Sequence, residues 1–208
     1  KYWQYIRKVC NKYDVHLILD EVYCGTGTSG KVYCCDYDNV NPDFIFIGKT
    51  LAAGYGPISA VITSEKIASN FNKFQGRIQH TTTYQGHSLS TSAALAVQKI
   101  IHNDNFLKSV YEKGKYMRQT LENELKNHEF FYDVRGRGLR FSFEYKCKKR
   151  DIFSDELQKI IFNKYNILMS IKFHRACFTP ALIISKKQCD EVLDRFIGEF
   201  KKLSKNWK

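Results

Sequence analysis

The sequence predicts an α/β sheet domain followed by a smaller α+β domain. Three observations predict it. Short continuous apolar runs, "VHLIL" (15–19), "DFIFIG" (43–48) and "ISAVIT" (58–63), read as buried strands. Segments of helical period lie between and after them. Beyond residue 103 the texture changes to alternating strands with glycine kinks, as in "FFYDVRGRGLRFSFEYKC".

Each element follows from its local pattern. Residues 2–12 place Trp3, Ile6 and Val9 or Cys10 on one side of a helix. The run 15–19 ends at two acids, Asp20 and Glu21, and a glycine-rich turn. The breaker pair Asn41-Pro42 precedes the second strand. Ser64-Glu65 opens a helix reaching about residue 71. In "SLSTSAALAVQKII" (88–101), Ala93, Ala94 and Ala96 permit close helix packing. A long helix is expected over 105–127, then two strands within 130–147. Helix 152–164, short strands near 167–173 and 180–184, and helix 186–203 complete the reading. The strands alternate with helices, so the first sheet is expected to be covered on both faces. The expected domains are 1–102 (sheet domain), 103–127 (connecting helix) and 128–208 (small domain).

Composition narrows the function classes. With 43% hydrophobic residues, 15 Phe and 13 Tyr, the chain can build a core. The formal charge is +12, from 33 basic and 21 acidic residues, yet the lysines are scattered. No zinc-finger spacing or RNA-binding strand motif accompanies them, so no nucleic-acid partner is expected. Seven cysteines without a C-x-x-C pair suit a reducing compartment. The expected location is the cytoplasm; an organelle matrix fits the same features. No 18-residue apolar run exists, so no membrane span is expected. The start, "KYWQYIRKVC", has no initiator Met and reads as a helix already under way, which suggests a fragment.

Asp20 and Lys49 fall at the C-terminal ends of two neighbouring predicted strands, the edge where open α/β sheets bind ligands. Glycines 25, 27 and 30 follow the acid, and glycines 48, 54 and 56 surround the lysine. Pyridoxal phosphate needs this pair. Its aldehyde forms a Schiff base with a lysine amine, and a carboxylate keeps its pyridine nitrogen protonated. Lys49 would then carry the proton, and Val22, at the parity of Asp20, would pack on the ring. Plainer readings stand beside this one: an Asp after a strand is commonly a cap, and a Lys is commonly solvated. "GTGTSG" (25–30) could suggest nucleotide binding, but it opens no helix and ends in no P-loop lysine. The six histidines form no metal array, and no metal is expected.

Taken together, "LILDEVYCGTGTSGK" and "NPDFIFIGKTLAAGYGPISAVITSEKI" resemble class-III pyridoxal-phosphate-dependent aminotransferases, the omega-aminotransferase family. "TTTYQGHSLSTSAALAV" (81–97) is similar to the family's T-Y-x-G-H-P segment, "VRGRGL" (134–139) to its small-domain signature, and "FTPALIIS" (178–185) to its terminal P-P-L segment. The resemblance implies a partial fold type I large domain plus a small C-terminal α+β domain. It implies a homodimer, and that this chain corresponds to the C-terminal half only. It implies Lys49 as the Schiff-base lysine, Asp20 as the pyridine-nitrogen partner, Val22 as a ring contact and Glu21 as a supporting acid. Thr83 would donate to the cofactor phosphate of the other subunit.

The sequence also departs from the family. Thr28 stands where arginine is usual, Ser88 replaces the proline of G-H-P, and Ala181 replaces the second proline of P-P-L. Cys177 stands where an arginine often binds the substrate carboxylate; Arg175, two residues earlier, is the candidate for that role. The expected reaction moves an amino group from an amine or amino acid to a 2-oxo acid. The alternatives are a lyase or mutase on the same scaffold, or a catalytically incomplete fragment.

Overall fold

The computed structural model describes residues 1–75 and 80–207. The chain separates into two compact units, Lys1–Leu107 and Lys108–Lys208.

The first unit opens with helix α1 (Tyr2–Lys12), which sets Ile6 and Cys10 against a cluster of Leu17, Leu19, Cys35 and Val40. Trp3, expected on the same side, keeps 38% of its surface exposed. Strands β1 (Ile18–Asp20), β2 (Phe44–Ile47) and β3 (Ala60–Thr63) form one sheet in that order. β1 and β2 run parallel, with Asp20 opposite Phe46; β3 is antiparallel, with Val61 opposite Phe46.

Parity then sorts the side chains. Leu19, Ile45, Ile47, Ala60 and Ile62 share the core face. They meet two clusters, the first around Leu17, Leu19, Cys35 and Val40, the second around Ile47, Leu51, Ala52 and Ala94. The opposite face carries Ile18 and Val61, which are 50% and 63% exposed. The expectation of a sheet covered on both faces is therefore corrected for the described residues. Apolar runs read as doubly buried because periodicity cannot say which elements cover a face.

Helix α2 (Glu65–Gln75) follows the sheet. Helix α3 (Ser88–Ile101) brings Ala94 into the core with Ala93 beside it, whereas Ala96 faces solvent. Gly56 explains how α3 comes so near: a Cβ there would lie 2.9 Å from Ser90 Cα. Arg7 and Asp43 tie α1 to the start of β2. The guanidinium lies 2.6 Å from Asp43 Oδ2, which also accepts the Leu17 N–H at 2.7 Å.

Helix α4 (Asp104–Leu125) leads into the second unit. There β4 (Phe131–Arg137), β5 (Arg140–Tyr145), β6 (Ser170–Lys172) and β7 (Arg175–Phe178) form an antiparallel sheet in the order β4-β5-β7-β6. Its core face sets Phe143 and Tyr145 against Phe153 of α5 (Arg150–Tyr165) and against Phe196 and Phe200 of α6 (Lys186–Lys205). These rings are almost wholly buried, each contributing about 1.5–3 kcal/mol by leaving water. Tyr145 is tolerable there because its hydroxyl meets Ser154 Oγ at 2.6 Å. α6 begins with a capping box: the Gln188 N–H donates to Ser185 Oγ and the Ser185 N–H to Gln188 Oε1.

The strand expected near 180–184 lies instead at Arg175–Phe178. Pro180 has no N–H to give a ladder. The carbonyls of Leu182 and Ile184 accept from Lys113 Nζ of α4, at 3.0 and 2.8 Å. A side-chain cation therefore holds this apolar stretch, where a partner strand was expected.

Candidate active site

Asp20 is the last residue of β1, and β2 ends one residue before Gly48. The parallel register puts Asp20 opposite Phe46, so Lys49 emerges three residues beyond that pairing, at the same end of the sheet. The Glu21 N–H donates to Phe46 O at 2.9 Å, carrying the pairing one step further. Val22 then comes alongside Gly48: a Cβ on that glycine would lie 3.6 Å from Val22 Cγ1. Asp20, Val22 and Lys49, singled out from sequence, are thus brought together in the first unit.

The Asp20 carboxylate is exposed. Among the described residues it accepts one hydrogen bond, from the Val22 N–H at 3.0 Å, and joins no ion pair. That bond orients the acid and leaves its second oxygen open to a ligand.

Lys49 opens a short 3-10 turn, Lys49–Leu51, in the left-handed region at φ 46°. A non-glycine residue there costs roughly 1–3 kcal/mol and persists only where its surroundings impose it. They do so here: the Leu51 N–H donates to Gly48 O at 2.9 Å, and Gln98 Nε2 of α3 donates to Leu51 O at 2.9 Å. The exposed amine lies 4.8 Å from the centre of the Tyr23 ring, within cation–π range. Tyr23 and Gln98 were not foreseen. A lone tyrosine after D-E-V, or a glutamine mid-helix, carries no signal until the fold puts each beside the lysine turn.

Glu21 is buried, 3% exposed, and its role is structural support. Oε2 accepts the Cys34 N–H at 2.6 Å and Oε1 the Cys35 N–H at 2.7 Å. The carboxylate thereby satisfies the first donors of the 3-10 turn Cys34–Tyr37 and closes the loop that follows Asp20. Burial, followed by the charge and hydrogen bond of Glu21, pushes the Cys35 thiol up to about 12.

Thr83 is exposed in the turn 83–86 that leads into α3, and its side chain has no hydrogen-bond partner among the described residues. The same helix packs on Gly56 and holds Leu51 O, so the threonine turn and the lysine turn share one support. Arg175, in the second unit, begins β7 opposite Glu144 and Lys172. It is exposed and joins no ion pair among the described residues. Glu144 pairs with Arg135 at 3.3 Å. Burial holds the Arg140 guanidinium below its ordinary value, and the charge of Arg175 adds to that. Among the described residues no group of three or more His, Cys, Asp or Glu could hold a metal.

Comparison with known proteins places the chain in a family. The model of the class-III aminotransferases matches residues 1–199. Over 204 residues the chain is 31% identical to an acetylornithine aminotransferase of Caldanaerobacter subterraneus subsp. tengcongensis, covering 97% of this chain and 49% of that protein. It is 36% identical over 148 residues to an aminotransferase of Gibberella zeae, covering 71% of this chain and 29% of that one. Among solved structures it is similar to an ornithine aminotransferase from Plasmodium yoelii. The TM-score is 0.85 at 30% identity, over 97% of this chain and 52% of that chain.

This chain belongs to the class-III aminotransferases. Its two sheets and their helices have the fold type I transferase architecture. The expected restriction of the match to a C-terminal half is corrected: the family model runs through nearly the whole of this chain, residues 1–199. The chain spans about half the length of the acetylornithine aminotransferase, and less of the Gibberella protein.

Proposed function

We propose that this chain serves a pyridoxal-phosphate-dependent aminotransferase that moves an amino group from an amine or amino acid to a 2-oxo acid, by Schiff-base chemistry on Lys49. One observation carries the reading. An open carboxylate and an exposed amine stand at the same end of two parallel strands, where Val22 comes alongside Gly48. The residues fit the cofactor: the acid has a free oxygen for a ring N–H, and the lysine amine at the same strand end is exposed for the aldehyde.

Bound there, the cofactor supplies an electron sink for charge developing at the substrate carbon. Asp20 holds a proton on the ring nitrogen by charge attraction. Val22 would pack on the ring. Lys49 would hold the cofactor through its amine and would move a proton at the substrate carbon as general base and acid. Glu21 fixes the loop behind Asp20. The Thr83 hydroxyl donates to phosphate, from the other subunit of a homodimer. Arg175 offers a bidentate partner to the substrate carboxylate. No helix among the described residues is long and apolar enough to cross a membrane; the cytoplasm is the proposed site of action.

Borohydride reduction of the protein with pyridoxal phosphate, followed by peptide mapping, tests the assignment. The pyridoxyl group is expected on Lys49. Its recovery on a different lysine, or on none, rejects the reading. Product that forms without any 2-oxo acid would indicate a lyase or mutase.

A further inference from the structure

Two thiols of the loop after Asp20, those of Cys24 and Cys34, lie within interaction range of each other. They lie on facing arms of one fold-back. The Gly27 N–H donates to Val32 O at 3.3 Å across it. Glu21 joins the arms at the neck: its main-chain carbonyl accepts the Gly25 N–H at 2.9 Å while its Oε2 accepts the Cys34 N–H at 2.6 Å. A Cβ on Gly25 would lie 2.9 Å from that same Oε2, so the residues following Cys24 and those around Cys34 converge on one carboxylate. Both cysteines are partly exposed, whereas the neighbouring Cys35 is buried.

We propose that Cys24 and Cys34 are a thiol-modification site that closes reversibly to a disulfide in the presence of a small-molecule disulfide such as oxidised glutathione. The two thiols face each other across the neck of the fold-back, and the bond requires that the sulfurs close to about 2.05 Å. The Cys24 proton is held chiefly by the hydrogen bond to Cys34, then by burial and by the charge of Glu21. Cys34 attacks and Cys24 resolves, and the exchange balances equally with the two roles exchanged. Cys34 gives its proton to solvent and attacks glutathione disulfide. That S–S bond breaks and one glutathione thiolate leaves. Cys24 then loses its proton and attacks Cys34 Sγ, expelling the second glutathione thiolate. Two protein thiols are oxidised, one glutathione disulfide is reduced to two thiols, and the two protons end on those thiols. The new bond ties down residue 24, directly after Tyr23, whose ring lies under the Lys49 amine.

The test uses the full chain equilibrated in glutathione buffers, acid-quenched, alkylated and digested without reductant. A peptide linking Cys24 to Cys34 is expected, with the alkylatable thiols falling from seven to five and dithiothreitol restoring them. Amide exchange in residues 25–33 should slow about tenfold or more on oxidation, as a closed loop opens less. Cys24→Ser should leave glutathione on Cys34, and Cys35→Ser should leave the link intact. Glutathione that stays on Cys34 of the unaltered chain overturns the proposal, as does pairing with any other cysteine or no oxidation at all. The mapping needs no bound cofactor, so its outcome is independent of the Lys49 assignment.

Discussion

The Lys49 amine lies 4.8 Å from the centre of the Tyr23 ring, so the lysine that emerges beside Asp20 rests over an aromatic face. Lys49→Arg keeps a cation over that ring but offers no amine able to link the cofactor. The variant should fold with stability within about 0.5 kcal/mol of the parent. Its turnover should fall about 10²–10⁴-fold, the usual worth of a positioned proton carrier. Parallel melting curves and amino-transfer assays check both halves. Retained turnover would assign the proton transfers to a different residue.

Glu21 is more a keystone than a reagent. Glu21→Ala leaves the Cys34 and Cys35 N–H groups without their acceptor, at a cost of about 2–4 kcal/mol to the first unit. Glu21→Gln retains one acceptor oxygen and should recover part of that. Denaturant unfolding separates the two. Equal stability of both variants would show that the pair of N–H bonds contributes nothing.

The Arg7–Asp43 pair predicts an acid limb. Burial alone would raise the Asp43 carboxyl, but hydrogen bonds from Arg7 and the Leu17 N–H, together with the Arg7 charge and His16, hold it below its ordinary value. The folded value is thus lower than the unfolded one. The resulting stability is fully present above the unfolded aspartate value of about 3.9, and is lost as pH falls through the lower folded value. Arg7→Met should lower stability near pH 7 by about 1–3 kcal/mol and flatten this limb. Urea melts between pH 7 and pH 2 read both effects.

Helix α4 passes very close to the β4–β5 turn. A Cβ on Gly114 would lie 1.7 Å from Gly138 O, a backbone atom that cannot swing aside. Gly114→Ala should destabilise the second unit by about 1–3 kcal/mol or more. Gly198→Ala serves as the control. Nothing lies within 4 Å of a Cβ there, and in the middle of α6 the change should add about 0.8–1 kcal/mol. A thermal melt that ranks the two the other way would contradict this packing.

Much of the architecture was legible because its signals are local. The spans of α1 and α3 agree with their apolar period, and the hairpin around Gly136 and Gly138 with its alternation and glycines. Asp20 and Lys49 could be placed at strand tips because each follows an apolar run directly. What could not be read depended on partners distant in sequence. Lys113 takes the carbonyls around residues 182–184, 71 residues from Ile184, so a stretch with strand-like composition forms no strand. Tyr23 under Lys49, Gln98 on Leu51 O and the contact between Cys24 and Cys34 leave no periodic trace. The open face at Ile18 and Val61 was hidden for the same reason: alternation reports which side a residue takes, not what lies over it.

Because α3 braces the turn after Lys49 through Gln98 and Ser90, and carries the Thr83 turn at its leading end, the amine and hydroxyl sites move as one body. Loosening of that rod by heat or by a helix-breaking substitution would misplace both grips simultaneously. Inactivation should therefore coincide with melting of the helix, without a half-competent stage in which one handle survives the other.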